Sequence, residues 1–504
     1  MAENKLPQLR TPGPLVVSKS NPRYFTVASG DDAGRAVHLA GSHIWNNFHD
    51  GMGPGAECSN DPERFDFDGY LDFLQERGHN LIRLWRWEHI RSQAAGGTFH
   101  LCMTPQPWAR TGPGEAKDGK PKFDLTRLDD GYFDRLRERV AAAGERGIYV
   151  DVLLFDGFAL HLSPAPDNVE GHPFHAANNV NGVGIQSIVD YQVLPLDSKV
   201  QEFEDAYIRR VVDTLHDLPN VLYEVANESS GGGGVNPEFA AMLGESGQVE
   251  WGNSTEWQYW VIERVRTHTA ERRYDAHPIG ITMQFPVQEQ TRVNDPLFGS
   301  DADWISPGYD DEIFATGELF PQMPGAPPTR WLVDPPPNDG RKVVINDTDH
   351  YSMSADALWA WKSFVRGNHP ILMDYGLIGG PNPADPAAGD GMSFDAFEPA
   401  RWAMGDTVRL AGRLNLAEME PRGDLSSTGF ALANEGSEYV ILQPTDSTDA
   451  FEVTVEPGTY EVEWFSVQGR ETRSGERVSI DGAGPTPFTS PFAEEPTVLI
   501  LRSA

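Results

Sequence analysis

Carboxylates stand at the ends of two apolar runs that lie far apart in the chain. The run VLYEVA is followed by Asn227 and Glu228, and the run KVVIN is followed by Asp347 and Asp349. Hydrolysis of an acetal needs one carboxylic acid that protonates the leaving oxygen and one carboxylate opposite it that attacks carbon or activates water. Glu228 with Asp347 or Asp349 is therefore a candidate catalytic pair, although a single Glu at a strand end is more often a capping or salt-bridging residue.

Short runs rich in apolar and β-branched residues recur along the chain, each ending in polar or aromatic residues. They span residues 37–45, 80–87, 149–156, 221–228, 277–285, 302–309, 342–350 and 369–376. The segments between them, such as 67–78, 132–147 and 203–217, have the periodicity of amphipathic helices. Eight strands alternating with helices predict a closed (β/α)8 TIM barrel of the α/β class, with its active site where the strands end. An open doubly wound sheet is less favoured, because no Gly-rich turn follows the first run.

The pattern of the sequence changes near residue 417. Beyond it, short alternating runs such as FEVTV and TVLILRS are separated by turn residues, which predicts a small antiparallel β-sandwich. The sequence therefore divides into a β lead-in at 1–36 that seals the bottom of the barrel, a catalytic barrel at 37–417 and a sandwich at 418–504. The length of 504 residues suits one large and one small domain.

The composition limits the class of partner. Asp and Glu outnumber Lys and Arg by 75 to 40, so the net charge of −35 would repel nucleic acid or an anionic membrane but not a neutral sugar polymer. No stretch approaches the roughly 20 consecutive apolar residues of a membrane span, and the N-terminus lacks the apolar run of a secretory signal, so we expect a cytoplasmic protein. Cys58 and Cys102 form no CxxC pair, and a single bridge between them stays open. No cofactor is predicted.

Aromatic and polar side chains at the strand ends are candidates for binding a saccharide, because sugar rings stack on aromatic faces and hydroxyls pair with polar groups. A segment rich in donors and acceptors at 172–179 is expected to form part of the cleft wall. Each residue taken singly is more often a packing residue of the barrel rim than a ligand contact. The candidates are His43, Trp45, Trp85, Trp87, Asp156, His175, Gln284, His350 and Tyr375.

The run VLYEVANE resembles the strand-four signature of clan A glycoside hydrolases, which are retaining (β/α)8 barrels with an Asn-Glu acid/base. NLIRLW in the second run and ADWISPGY in the sixth are also similar to that clan. The segments YFTVASG, VHLAGSHIW and INDTDH are closer to cellulase-like and apiosidase-like hydrolases that carry a C-terminal β-sandwich. The resemblance covers roughly residues 20–504 and implies a glycoside or oligosaccharide substrate.

Position by position, the resemblance implies roles for several residues. Glu228 would be the general acid/base, and Asn227 would hydrogen-bond the hydroxyl next to the anomeric carbon. Arg83 would orient the strand-seven carboxylate, and Tyr309 would donate a hydrogen bond to it.

The seventh run departs from the clan pattern, because clan A enzymes have a Glu nucleophile where KVVINDTDH has none. Asp347 falls at the matching position and is the first candidate nucleophile, and Asp349 is the second. Aspartate is one methylene shorter, which would widen the carboxylate gap by about 1.5 Å from the roughly 5 to 5.5 Å of a retaining pair. We expect a retaining enzyme, with an inverting one as the alternative.

Two other classes of function stay open. Asp347, Asp349 and His350, joined by His43 or His175, are suitable ligands for a metal-dependent hydrolase, although the sequence has no HExxH motif and no HxH pair in the first strand. The missing strand-seven Glu is also compatible with a barrel that binds carbohydrate without cleaving it.

Overall fold

A closed barrel of eight parallel strands forms the centre of the protein. The computed structural model describes residues 11–53, 58, 62, 64–94, 99–161, 167–232, 252–285, 287, 290–308, 310, 330–350, 355–377, 394–482, 484–492 and 494–504. The predicted (β/α)8 barrel is confirmed, and each strand lies within one of the eight apolar runs. The strands are β1 Gly41–His43, β2 Leu81–Leu84, β3 Tyr149–Asp156, β4 Val221–Asn227, β5 Ile279–Thr282, β6 Trp304–Ser306, β7 Val343–Asp347 and β8 His369–Met373.

In the described part of the chain, a helix of the outer layer follows each strand, with additional short helices in the connection after β3. Asp66 begins α1 by accepting a hydrogen bond from the backbone of Gly69, and Gly78 ends it with a φ of 81°, a left-handed conformation that favours glycine. The helices are α1 Phe67–Arg77, α2 Asp130–Glu145, α3 Ser198–Leu215, α4 Thr255–Arg272, α5 Asp295–Gly299, α6 Arg330–Val333, α7 Ala357–Val365 and α8 Glu398–Ala411. None of these described helices is long and apolar enough to cross a membrane.

The alternation of side chains along the strands places charged groups inside the barrel. On β3, Val150 and Val152 belong to the apolar layer shared with the surrounding helices, so Asp151 between them faces inward. Glu224 on β4 and Arg83 on β2 lie beside it in the interior. The barrel interior therefore contains a layer of charged side chains, formed by Asp151, Glu224 and Arg83.

The end of the barrel opposite the strand tips is covered by the N-terminal lead-in. Strands Leu15–Val17, Phe25–Val27 and Ala36–Val37 form an antiparallel sheet. Its apolar residues, including Leu15, pack against Tyr149 at the start of β3.

The C-terminal region forms antiparallel sheets, as the change of sequence pattern predicts. One sheet has seven strands and a second has two. The strands are Glu420–Pro421, Ala431–Asn434, Glu438–Gln443, Phe451–Val455, Gly458–Ser466, Thr472–Ser474, Val478–Ile480, Gly484–Phe488 and Thr497–Ser503. This region packs on the barrel. The ring centroids of Trp361 in α7 and Phe465 lie 5.3 Å apart, and Arg470 Nε lies 2.9 Å from Asp406 Oδ2 in α8.

Long connections build the rim at the strand tips. Cys58, which follows β1, forms a disulfide with Cys102, which follows β2, so the bridge that the sequence left open is present. After it, Trp108–Glu115 and Pro121–Leu128 pair as a hairpin. The β3 connection contains the short helices Phe158–His161, Asp167–Glu170 and Val189–Gln192.

Candidate active site

Arg83 lies at the centre of a ring of acidic and amide groups at the C-terminal ends of the strands. Its Nη1 donates to Asp349 at 3.2 Å and to Asp347 at 3.5 Å, and its Nη2 donates to the Asn227 side-chain oxygen at 2.9 Å. Arg83 therefore contacts both strand-seven carboxylates, and its orienting role stays a prediction. The shortest contacts of Arg83, at 2.5 and 2.6 Å, are with Glu224, which the sequence did not single out.

Asp347 is held by three hydrogen-bond donors. His43 Nε2 lies 2.9 Å from its carboxylate, the backbone N–H of Asp349 donates to Oδ1 at 2.9 Å, and Arg83 donates to Oδ2. Burial would raise the pKa of Asp347, but His43, through its charge and hydrogen bond, and Arg83 hold that pKa well below its ordinary value. With 2% of its surface exposed, Asp347 is an ionised carboxylate engaged with protein groups.

Asp349 lies two residues beyond Asp347, in the short 3-10 turn Thr348–His350 that follows β7. It retains 9% of its surface exposed. Burial and the negative charge of Asp347 raise the pKa of Asp349 to about 6, although Arg83 acts in the opposite direction. At neutral pH, Asp349 is thus largely ionised but close to its titration range.

Glu228 directly follows β4 and is 8% exposed. Burial raises the pKa of Glu228 well above its ordinary value, and the largest charge contribution after burial comes from Asp349. Arg83 lowers that pKa, whereas Asp156 and Asp347 raise it further. Burial and the negative charge of Asp349 therefore both favour the protonated form of Glu228.

The backbone of Glu228 has a φ of 43°, in the left-handed region. This conformation costs roughly 1 to 2 kcal/mol for a residue with a side chain, and such strain persists only where neighbouring structure enforces it. Residues in strained conformations cluster at functional sites, which supports a role for Glu228.

Asn227 is fixed from two sides. Its oxygen accepts a hydrogen bond from Arg83, so its nitrogen is directed toward Asp156, whose Oδ1 lies 3.4 Å away. The other oxygen of Asp156 accepts from the backbone of Ala159 at 3.1 Å. Burial raises the pKa of Asp156 to about 7. The amide of Asn227 consequently presents a donor whose direction is set by Arg83 and Asp156.

Aromatic side chains form a wall beside these groups. Trp45 is half-buried and meets Tyr375 edge to face at 5.4 Å. Trp85 is buried, stacks on His43 at 5.7 Å and lies 4.4 Å beneath the Arg83 guanidinium. Trp85 therefore supports His43 and Arg83, whereas Trp45 keeps exposed surface on which a sugar ring can stack.

The remaining predicted binding residues have other partners. Gln284 is buried and bonds to Thr255 at 2.9 Å, at the start of α4. His350 Nδ1 lies 2.9 Å from Ser306 Oγ, and burial lowers the pKa of His350 to about 3. His175 is half-buried in the β3 connection, and Tyr309 lies outside the described residues.

A second buried carboxylate, Glu88, was missed by the sequence reasoning. It accepts hydrogen bonds from Arg86 at 3.0 Å, His172 at 3.0 Å, Tyr191 at 2.6 Å and the backbone of Asp156 at 2.9 Å. In the sequence, only the opposite charges within the run RLWRWE at the end of β2 could have indicated this ion pair, since the other partners of Glu88 come from distant segments. Glu88 joins the ends of β2 and β3 to the β3 connection.

The histidines of the hypothetical metal site are used differently. His43 bonds to Asp347, and His350 bonds to Ser306. Across the described part of the chain, no three His, Cys, Asp or Glu side chains converge as metal ligands would.

Comparisons with known proteins agree with this architecture. A family profile described as "Domain of unknown function (DUF6298)" matches residues 84–234, from the end of β2 to just past β4. A search of curated proteins found no match.

Solved structures of glycoside hydrolases have a similar fold. One, titled "Glycoside hydrolase", is 13% identical in sequence and has a TM-score of 0.57. The alignment covers 98% of this chain and 99% of the other. A glycoside hydrolase family 5 protein from Bacteroides vulgatus ATCC 8482 is 13% identical, with 99% and 95% coverage and a TM-score of 0.57. At this identity the likeness concerns the fold, and the (β/α)8 barrel predicted from the sequence is confirmed.

Proposed function

We propose that this protein is a glycoside hydrolase in which Glu228 is the general acid/base and Asp349 is the nucleophile. The observation that carries the proposal is the convergence of the two carboxyl-bearing segments on Arg83 at the barrel mouth, where Arg83 donates to Asp349 at 3.2 Å and to Asn227, the residue before Glu228, at 2.9 Å. The pKa of Glu228 is raised by burial and by the charge of Asp349, whereas the pKa of Asp349 is about 6. Pairs of carboxyl groups whose pKa values are driven apart in this way are typical of acid/base catalysis.

Asp349 is a better nucleophile candidate than Asp347, the first choice from sequence. Asp347 already accepts from His43, Arg83 and the backbone of Asp349, so its oxygens are occupied. Asp349 is more exposed and contributes more to the raised pKa of Glu228.

The reaction follows from these assignments. Asp349 attacks the anomeric carbon while Glu228 gives its proton to the leaving oxygen, so the glycosidic C–O bond breaks as the bond to Asp349 forms. Glu228, now ionised, removes a proton from water, which attacks the same carbon and releases Asp349. The proton on Glu228 is thereby restored. Asn227, with its amide nitrogen fixed, donates to the hydroxyl beside the reacting carbon.

The charge around the site favours an uncharged sugar. Arg83 is already bound by Glu224, Asp347 and Asp349, so it has no capacity left for an anionic substrate group. Uronic acids and sulfated sugars would therefore meet net repulsion.

Hydrolysis of para-nitrophenyl glycosides of neutral sugars tests the proposal. We expect turnover by the wild type, unchanged by chelators, and losses of about 10²- to 10⁴-fold for Glu228→Gln and at least as much for Asp349→Asn. Asp347→Asn should retain more activity than Asp349→Asn. Binding of oligosaccharide without turnover by the wild type would instead identify a non-catalytic binding protein, and inactivation by chelation a metal-dependent hydrolase.

The stereochemistry of the first-formed sugar separates the two mechanisms. Retention of the anomeric configuration, seen by proton NMR, is expected for nucleophilic attack by Asp349. Inversion would mean that the shorter aspartate leaves room for a water molecule between the carboxyl groups.

A further inference from the structure

The segment that carries Glu228 is enclosed by the end of β3. The backbone N–H of Gly157 donates to the carbonyl of Asn227 at 2.8 Å. A Cβ atom at Gly157 would lie only 2.6 Å from Ser229 Cα and 2.8 Å from the carbonyl oxygen of Glu228. The two chain segments are therefore in direct backbone contact on both sides of Glu228.

A side chain from the β3 connection joins these same two segments. Gln192, at the end of the short helix Val189–Gln192, is fully buried. Its Nε2 donates to the backbone carbonyl of Asp156 at 3.1 Å, and its Oε1 accepts from Ser229 Oγ at 2.9 Å. Gln192 thus connects the residue before Gly157 with the residue after Glu228.

The short helix is itself held in place by Glu88. The hydroxyl of Tyr191 donates to Glu88 at 2.6 Å, and the other oxygen of Glu88 accepts from the backbone of Asp156 at 2.9 Å. Gln192 therefore binds Asp156 at the end of β3 directly, and the adjacent Tyr191 is connected to Asp156 through Glu88. This arrangement leaves the amide of Gln192 little freedom to move away from Ser229.

We propose that Gln192 is a positioning residue that holds Glu228 in its left-handed backbone conformation. The role rests on the proposed function of Glu228 as acid/base. Without the bond from Gln192, Ser229 is released on one side and Glu228 relaxes to an ordinary negative φ. Its carboxyl group then turns away from the leaving oxygen, while Asp349 stays in place because its partners belong to other segments.

Leaving-group dependence distinguishes this role from general damage to the fold. A phenyl glycoside needs protonation of its leaving oxygen, whereas a dinitrophenyl glycoside departs as a stable anion without it. Misplacement of Glu228 should therefore slow the first substrate and spare formation of the glycosyl-enzyme from the second. A destabilised protein would lose activity on both substrates in the same proportion.

The experiment compares Gln192→Met, which keeps the length of the side chain and removes both hydrogen bonds, with Gln186→Met. Gln186 is exposed on the same connection, and among the described residues its hydrogen bonds are to Gly184, Ile185 and Asp190 of that connection. For Gln192→Met we expect kcat to fall about 10²-fold on the phenyl glycoside of a sugar cleaved by the wild type, with KM nearly unchanged. Pre-steady-state release of dinitrophenolate should change by less than tenfold, and Gln186→Met should match the wild type on both.

A crystal structure of Gln192→Met supplies a readout independent of activity. We expect the φ of Glu228 to leave the left-handed region in this variant. Retention of a φ near 43°, or kinetics equal to those of Gln186→Met, overturns the role of Gln192. An inactive wild type would instead overturn the proposed function, and the φ of Glu228 in the variant would still decide the role of Gln192.

Discussion

Arg83 on β2 and Glu224 on β4 form a two-pronged ion pair across the interior of the barrel. Both side chains are buried, and the same guanidinium reaches Asp347 and Asp349. Because a guanidinium is planar and its hydrogens have fixed directions, Glu224 sets the plane in which Arg83 meets the strand-seven carboxylates. Glu224 thus supports the proposed catalytic pair from below.

Substitution Glu224→Gln should destabilise the protein strongly. It leaves the positive charge of Arg83 buried without its main partner, which typically costs about 3 to 5 kcal/mol in the free energy of unfolding. Urea unfolding measures this change. Glu461→Gln is the control, because Glu461 pairs with Arg477 on the surface and should contribute less than about 1 kcal/mol. A loss no larger than that of the control would contradict the supporting role of Glu224.

The pH dependence of kcat/KM should report both carboxyl groups. Activity is expected to rise as Asp349 ionises around pH 6 and to fall at higher pH as Glu228 loses its proton. Asp347→Asn removes a negative charge that raises the pKa of Asp349, so the acidic limb should move to lower pH. An acidic limb that stays in place in Asp347→Asn would show that another group controls it.

Substitution Gly157→Ala should impair catalysis, because the new methyl group would overlap the backbone at Ser229 and Glu228. We expect a loss of about 10²-fold in kcat from displacement of the acid/base, with the far-ultraviolet circular dichroism spectrum retained. Gly299→Ala is the matched control, since the nearest atom to its Cβ would be Tyr259 Oη at an ordinary 3.8 Å. Equal activity of the two variants would mean that the backbone at Glu228 tolerates the shift.

Removal of residues 418–504 should yield insoluble protein. The deletion exposes apolar groups of the barrel that the sandwich covers, including Trp361, and leaves Asp406 without Arg470. Fractionation of the expressed 1–417 fragment followed by the glycoside assay measures the outcome. A soluble fragment with full activity would show that the barrel does not depend on the sandwich.

Much of the architecture could be predicted because its signals are local. Each barrel strand is a short apolar run, and eight such runs separated by amphipathic helices close into one kind of barrel. The carboxyl groups of Glu228 and Asp349 could be placed at strand tips for the same reason. The alternation of side chains along β3 and β4 also places Asp151 and Glu224 inside the barrel. No local sequence pattern, however, indicates which cationic side chain they contact.

The sequence by itself determined the order of strands and the positions of Glu228, Asp347 and Asp349 after two of them, since both depend on residues close together in the chain. Only the tertiary structure decided that Asp347 pairs with His43, whereas the charge of Asp349 raises the pKa of Glu228 more than that of any other residue. Only it brought Gln192 to Ser229, because the course of a long connection is set by many weak contacts with distant segments rather than by a repeating pattern. Protonation likewise depends on burial and on charges that converge only after the barrel has closed.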